Sequence, residues 1–293
     1  MKTLKEESLR RRRTQQISIA IPASFISDIP HLREKTFRVG LVGRAAAIFR
    51  IDEVIVYPDF PNVDQTRDVE LIVLILSYME TPQYLRKRLF RIRSELRYAG
   101  VLPPLRTPHH PRINRLKKLN LGEYREGVVV SSSATGAFVD VGVERLALVQ
   151  GKQLPINARV TVEITRLQKK FSATLASREE PKAYWGYEVA TSNVLLGQLA
   201  QRKDFDLVIM TSRMGKPVMK VMKKLREKWK ASSKVLIVFG APAQGLYEIS
   251  AHERLTLAEI SHFIVNTIPC QGTKTARTEE AIYATLAILN TLQ

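Results

Sequence analysis

The chain has 293 residues, and its 46 lysines and arginines against 28 aspartates and glutamates give a net charge of +18. This balance excludes an acidic solvating protein, and a length sufficient for two domains excludes a small disulfide-held peptide. A single cysteine, Cys270, cannot form an intramolecular disulfide, and no stretch of 18 apolar residues is present. We therefore expect a soluble, cytoplasmic protein.

The first part of the chain is predicted to form a strand, a helix and a second strand. Residues 17–22 alternate polar and apolar side chains, and Ser18 and Pro22 interrupt the apolar run that follows the basic N-terminal residues. A strand is therefore favoured over a secretory signal. Apolar spacing predicts a helix over residues 32–49, and a short apolar run predicts a strand over residues 53–57.

Two further helices and a linker are predicted next. One helix, capped by Asn62 or Asp64, includes residues 71–79, and another covers residues 82–98 with one apolar stripe. Residues 101–111, VLPPLRTPHHP, contain four prolines and predict an extended linker.

The middle and last parts of the chain have different patterns. Residues 126–178 are short β runs separated by glycine, proline and asparagine, which is typical of a small barrel and resembles the OB fold. After Pro181, strands again alternate with helices, which predicts a doubly wound α/β layer that the opening strands join. We predict an N-terminal α/β part with a basic helix over residues 1–105, a linker and OB-like RNA-binding insertion over 106–180, and a C-terminal α/β part over 181–293.

The positive charge is concentrated in two segments. Residues 82–118 carry eleven basic side chains and one acidic one, and residues 213–234 carry nine basic and one acidic. Because each phosphate contact releases condensed counterions, such segments favour a nucleic acid as partner. Solvated helix faces and an anionic membrane surface remain the alternatives. The RNA-contact candidates are Arg86, Lys87, Arg88, Arg91, Arg106, Phe138, Lys216, Lys220 and Arg277.

Phe138 lies in the predicted barrel, where an aromatic side chain stacks on a base or belongs to the core.

The loops that follow Thr211, Phe239 and Asn266 are the candidate ligand loops, because ligands bind at the carboxyl ends of parallel strands. Thr278 is predicted to cap the last helix, over residues 278–292, with Glu279 and Glu280 in its first turn. Glycine motifs for dinucleotides or phosphates are missing, and the five histidines lack the spacing of a metal site.

Several motifs together resemble one family. They are IPCQGTKTARTEEA at residues 268–281, VLIVFGAPAQGL at 235–246, TSRMG at 211–215, PNVDQTR at 61–67, and the segments ETPQYLRKRLF and LRYAGVLPPLRTPHH. The chain resembles RNA methyltransferases of the SPOUT superfamily, specifically the archaeal and eukaryotic group with an OB-like insertion. The resemblance spans nearly the whole chain.

This resemblance implies a knotted parallel sheet with helices on both faces, a homodimer, and S-adenosylmethionine held in the knot loops. It implies Arg213 as the catalytic residue, acting on ribosomal RNA at a uracil ring nitrogen, although a helix-cap or ion-pair role for Arg213 stays open. The implied cofactor-binding residues are Thr211, Phe239, Gly240, Pro242, Gly245, Leu246, Thr267, Ile268, Pro269, Gln271, Gly272, Thr273 and Thr278. A non-catalytic RNA-binding or ribosome-assembly factor, and an enzyme that uses another nucleotide, are the competing hypotheses.

Overall fold

A computed structural model describes residues 12–168 and 170–292, so the N-terminal basic residues 1–11 lie outside it. The chain forms two compact units. The barrel unit contains residues 80–93 and 105–186, and the sheet unit contains residues 13–79, 94–104 and 187–292. No helix in the described part of the chain is long and apolar enough to span a membrane.

The sheet unit is built on six parallel strands flanked by helices. Their order across the sheet is β11-β9-β10-β1-β2-β8, so the two opening strands join the C-terminal strands, as the sequence predicts. The strands are β1 (Gln16–Pro22), β2 (Glu53–Tyr57), β8 (Glu188–Thr191), β9 (Leu207–Pro217), β10 (Lys234–Val238) and β11 (Phe263–Asn266).

The helices of this unit include α1 (Leu32–Ile48), α2 (Thr66–Glu80), whose last residue belongs to the barrel unit, α4 (Leu196–Ala200), α5 (Val218–Lys230), α6 (Leu246–His252) and α7 (Thr278–Leu289). Side chains of α4 and α6 pack on one side of the sheet, around the buried residues Ile55, Met210 and Leu236. Asp64, one of the two predicted caps, accepts a hydrogen bond from the Thr66 amide at the start of α2.

The barrel unit contains the closed β-barrel that the pattern of residues 126–178 predicts. Its strands follow the order β3-β4-β5-β7-β6 around the barrel. They are β3 (Tyr124–Ser133), β4 (Gly136–Asp140), β5 (Ala147–Gln150), β6 (Arg159–Arg166) and β7 (Ser172–Ala176). Buried valine, isoleucine and alanine side chains with Phe171 fill the interior.

The helix predicted over residues 82–98 is wrong beyond its first two turns. Helix α3 (Gln83–Leu89) ends at Leu89, Phe90 is extended, and Ile92, which was expected on the apolar stripe, is fully exposed. Basic residues fill this segment, and like charges four residues apart destabilise a helix. A single 3₁₀ turn (Ser94–Leu96) follows in the sheet unit.

Buried charges hold the barrel unit together. Glu126 is 1% exposed, and its carboxylate accepts hydrogen bonds from Arg159 Nε at 2.6 Å, Thr161 Oγ1 at 2.7 Å and Trp185 Nε1 at 2.6 Å. Arg159 also contacts Glu80, which accepts a further bond from Arg178 at 3.0 Å. The Arg159 guanidinium and His109 hold the pKa of Glu80 well below its usual range against its burial.

Replacing Glu126 by alanine should therefore destabilise the barrel unit by about 3–5 kcal/mol, because Arg159, Thr161 and Trp185 lose a buried acceptor. Urea unfolding followed by Trp185 fluorescence, in a Trp229→Phe background, measures this unit alone. Glu179→Ala, at an exposed carboxylate of the same unit, should change stability by no more than about 0.5 kcal/mol. A loss below about 1 kcal/mol for Glu126→Ala would contradict the assignment.

Candidate active site

Three strand-end loops meet at one cleft in the sheet unit. Strands β11, β9 and β10 are neighbours in the parallel sheet, so the loops after them emerge at the same edge. Residues 211–214, 239–248 and 265–281 supply the side chains that line the cleft. Arg213 and Glu248 are the charged side chains among the described residues that line it.

The first loop is an excursion within strand β9. Met210 pairs with Ile264 of β11, but the next residue of β11, Val265, pairs with Lys216. Residues 211–215 therefore leave the ladder, whereas the sequence predicts that the strand ends at Thr211. Gly215 permits this, because a Cβ there would lie 2.7–2.9 Å from the backbone of Val265.

Arg213 lies on this excursion, and hydrogen bonds hold both its side chain and its main-chain carbonyl. Its side-chain Nη1 donates to the Lys274 carbonyl at 3.0 Å, and its own carbonyl accepts from Asn266 Nδ2 at 2.8 Å. The amide oxygen of Asn266 in turn accepts from the Ile268 amide at 2.9 Å. Asn266 thus joins the first loop to the third, and the exposed guanidinium of Arg213 is available at the cleft.

The second loop begins after β10 and folds back on itself. The Phe239 amide donates to Ala20 of β1 at 3.0 Å, and the Ala241 amide donates to the Gln244 carbonyl at 2.9 Å. Gly240 allows the tight return, since a Cβ there would lie 3.1–3.2 Å from backbone atoms of residues 244–246. Leu246, which opens helix α6, and Phe239 are each 1% exposed and give the cleft an apolar wall.

The third loop joins β11 to helix α7. Thr267 shares a buried hydrogen bond with Thr285 of α7 at 2.8 Å, and Gln271 Nε2 donates to the Thr273 carbonyl at 2.9 Å. The predicted cap at Thr278 is wrong: Arg277 is the N-cap, and its amide donates to Glu280 in the first turn at 2.8 Å. The Thr278 hydroxyl instead donates to the Gly240 carbonyl, because it faces the second loop.

The structure brings most of the sequence-predicted cofactor residues to this cleft, together with Arg213. Pro269, Gly272 and Thr273 are in the third loop but do not line the cleft, and a Cβ at Gly272 would have no neighbour within 4 Å. The predicted residues that line it are Thr211, Phe239, Gly240, Pro242, Gly245, Leu246, Thr267, Ile268, Gln271 and Thr278.

Sequence reasoning missed several residues of the cleft. Met214, Gln244, Glu248 and Asn266 line it, and each is adjacent to or inside a loop that the sequence singles out. Tyr57 is also missed: it is fully buried at the end of β2 and donates from its hydroxyl to the Phe239 carbonyl. No local signal in the sequence indicates that contact, since the two residues are 182 positions apart.

The predicted RNA-contact residues divide between the two units. In the barrel unit, Arg86 Nε donates to the Thr81 carbonyl and Arg88 pairs with Asp140 at 2.8 Å, while Lys87, Arg91 and Arg106 are exposed. Phe138 is 39% exposed on β4. In the sheet unit, Lys216 and Lys220 are exposed where β9 continues into α5, and Arg277 lines a second cavity beside α1.

Comparison with known proteins identifies the family of the chain. A family model described as "Putative RNA methyltransferase" matches residues 16–289. The "28S rRNA (uridine-N(3))-methyltransferase" of Mus musculus is 32% identical over 94% of this chain and 76% of its own length; that of Homo sapiens is 33% identical over 95% and 79%. An uncharacterised protein of Haloarcula marismortui is 31% identical over 93% of this chain and 98% of its own. The chain therefore belongs to this family of RNA methyltransferases.

Proposed function

We propose that this enzyme transfers a methyl group from S-adenosylmethionine to a ring nitrogen, N3, of a uridine in ribosomal RNA. Two relatives that cover most of the chain carry the name of such an activity. The observation that carries the proposal is the cleft at the edge of the sheet, where an anchored arginine lies beside loops that supply both apolar and polar side chains.

The residues of the cleft fit S-adenosylmethionine. Its adenine favours apolar walls, which Phe239, Leu246 and Ile268 provide. Its amino-acid part carries an ammonium group, and Glu248 is the carboxylate that lines the cleft.

We further propose the finer fold that goes with this cofactor: an OB-like barrel, and a SPOUT-type trefoil knot formed by residues 239–278.

The reaction breaks the N3–H bond of uracil, whose proton passes to water, and the carbon–sulfur bond of the methyl donor, and it forms a bond between N3 and the methyl carbon. S-adenosylmethionine, when bound, supplies that carbon on a sulfonium that leaves as a neutral thioether. Uracil becomes anionic when N3 loses its proton, so a fixed cation beside it favours the reactive form. Arg213 supplies this cation, and its bond to the Lys274 carbonyl with the Asn266 bridge holds it in position before substrate arrives.

Replacing Arg213 by alanine should lower kcat about 100-fold or more, with the affinity for S-adenosylmethionine changed less than about twofold. The assay follows labelled methyl transfer to ribosomal RNA from cells that lack this protein, with mass spectrometry of nucleosides to detect 3-methyluridine. Arg202→Ala, which removes an exposed arginine paired with Asp204 outside the cleft, should keep wild-type kcat. Full activity of the Arg213 variant would exclude its electrostatic role.

The RNA is proposed to lie against helix α5. Its exposed cations include Lys220, Lys223, Lys224 and Arg226, and none of them pairs with an acidic side chain in the described part of the chain. Unpaired cations along one helix suit a row of phosphates. The exposed cations of the barrel unit and Phe138 are proposed to contact further parts of the same RNA.

Changing Lys220, Lys223 and Lys224 together to alanine should weaken RNA binding and reduce the slope of log affinity against log salt by about 2. Fluorescence anisotropy with a labelled ribosomal RNA fragment, at several salt concentrations, measures both quantities. The matched triple change to arginine keeps the charge and should retain the slope. An unchanged slope in the alanine variant would place the phosphates elsewhere.

A cytoplasmic homodimer completes the proposal. Phe37 and Ile48 on helix α1 are 50% and 48% exposed, so this helix has an apolar surface that a second copy would cover. Light scattering measures the oligomeric state directly.

A further inference from the structure

Three consecutive carbonyl groups at the start of the second loop each accept a hydrogen bond from a different side-chain hydroxyl. The acceptors are residues 238–240, where β10 ends and the loop begins. The donors are Thr211 at 2.8 Å, Tyr57 at 2.8 Å and Thr278 at 2.9 Å, in that order along the loop. They come from β9, the end of β2 and the first residue of α7, so three separate elements fix one stretch of backbone.

These contacts begin at the last paired residue of β10, Val238, and continue over the two residues that follow the ladder. The register between β9 and β10 ends at the pair Met210–Val238, and β9 then leaves the ladder. A buried carbonyl without a donor is costly, and each hydroxyl supplies one. Because the donors come from fixed elements, the loop backbone is restricted at three successive residues.

Tyr57 is the most buried of the three donors, with no exposed surface. Burial, together with the negative charges of Asp59 and Glu253, holds its pKa well above the usual range. The phenol therefore keeps its proton and remains a donor. Thr278 is 4% exposed, so its hydroxyl is also enclosed.

A hydroxyl that donates its one proton to a backbone carbonyl cannot donate the same proton to a ligand. Thr211 and Thr278 line the cleft and are predicted from the sequence to contact the cofactor, yet their hydroxyl protons are directed to the carbonyls of Val238 and Gly240. Toward a ligand they have only oxygen lone pairs left. The main effect of these two hydroxyls is therefore to restrain the backbone of the second loop.

We propose that Tyr57, Thr211 and Thr278 are positioning residues, a hydroxyl clamp that holds residues 238–245 in the conformation that binds S-adenosylmethionine. The clamp acts through the loop backbone, so the free protein already has the binding conformation and loses little entropy when the cofactor binds. This inference rests on the proposed function for the identity of the ligand.

The chain offers a matched control for a purely structural role. Tyr187 is 1% exposed, and its hydroxyl donates to the Leu76 carbonyl at 3.1 Å, also in the sheet unit. Tyr57→Phe and Tyr187→Phe both remove a buried hydroxyl from a backbone carbonyl and should lower the melting temperature by similar amounts. Only Tyr57→Phe removes a bond to the second loop.

The test compares Tyr57→Phe, Thr278→Val, Thr278→Ser and Tyr187→Phe with the wild type. Hydrogen exchange of residues 238–246 in the free protein reports on the loop, and calorimetric titration with S-adenosylmethionine gives the affinity. Tyr57→Phe and Thr278→Val should speed exchange in the loop and weaken binding about five- to tenfold. Thr278→Ser, which keeps the hydroxyl, should restore both, and Tyr187→Phe should bind within twofold of wild type.

The clamp is overturned if Tyr57→Phe and Thr278→Val only lower the melting temperature, with loop exchange and affinity like those of Tyr187→Phe. If Tyr57→Phe does not fold, the pair Thr278→Val and Thr278→Ser decides the question with a smaller change. A wild type that binds no S-adenosylmethionine would refute the proposed function, whereas the exchange measurements would still show whether the three hydroxyls hold the loop.

Discussion

The conformation of the cleft depends on the hydrogen bonds that hold the backbone of its loops. Beyond the last pair of β9 and β10, Met210–Val238, the sheet no longer supplies hydrogen bonds to the carbonyls of residues 239 and 240. Side-chain hydroxyls take over there, and the Asn266 amide does the same for the first and third loops. The cleft is therefore positioned by polar side chains that the sheet and helix α7 carry, and its glycines only make the close approaches possible.

In the barrel unit, buried and paired charged side chains stabilise the fold. Glu80 and Glu126 are 4% and 1% exposed, and Arg159 contacts both. Neither carboxylate is isolated, because cations and polar hydrogens from distant parts of the chain surround each of them. Loss of one member leaves buried partners unpaired, and within the barrel unit the network joins Glu126 and Arg159 to Glu80 and His109.

The sequence predicts most of the regular elements because their signals are local. Apolar runs predict β1 and β2 to within a residue, and residues 126–178 predict the barrel. The helix over residues 82–98 fails because apolar periodicity says nothing about repulsion between neighbouring cations, and Ile92 is exposed. The cap at Thr278 fails because a tertiary partner, the Gly240 carbonyl, competes for the hydroxyl.

The site is predicted less completely than the fold, because local sequence patterns do not encode contacts between distant residues. Loops at strand ends are visible in the sequence, so ten of the predicted cofactor positions line the cleft. The contacts that hold those loops join residues as far apart as Tyr57 and Phe239, and no periodicity or motif encodes them.

Charged side chains of the sheet unit lie in two places that the proposed function uses differently, the cleft and helix α5. Among the described residues, Arg213 and Glu248 are the charged side chains that line the cleft, whereas cations without an acidic partner begin at Lys216 and continue along α5. Exposed cations act at long range and are screened by salt. Arg213, in the role proposed for it, would act on one base at short range, and the third loop holds its side chain. Because β9 carries Arg213 and leads directly into α5, an RNA strand bound to the helix as proposed would lie on the element that also supplies the arginine of the cleft.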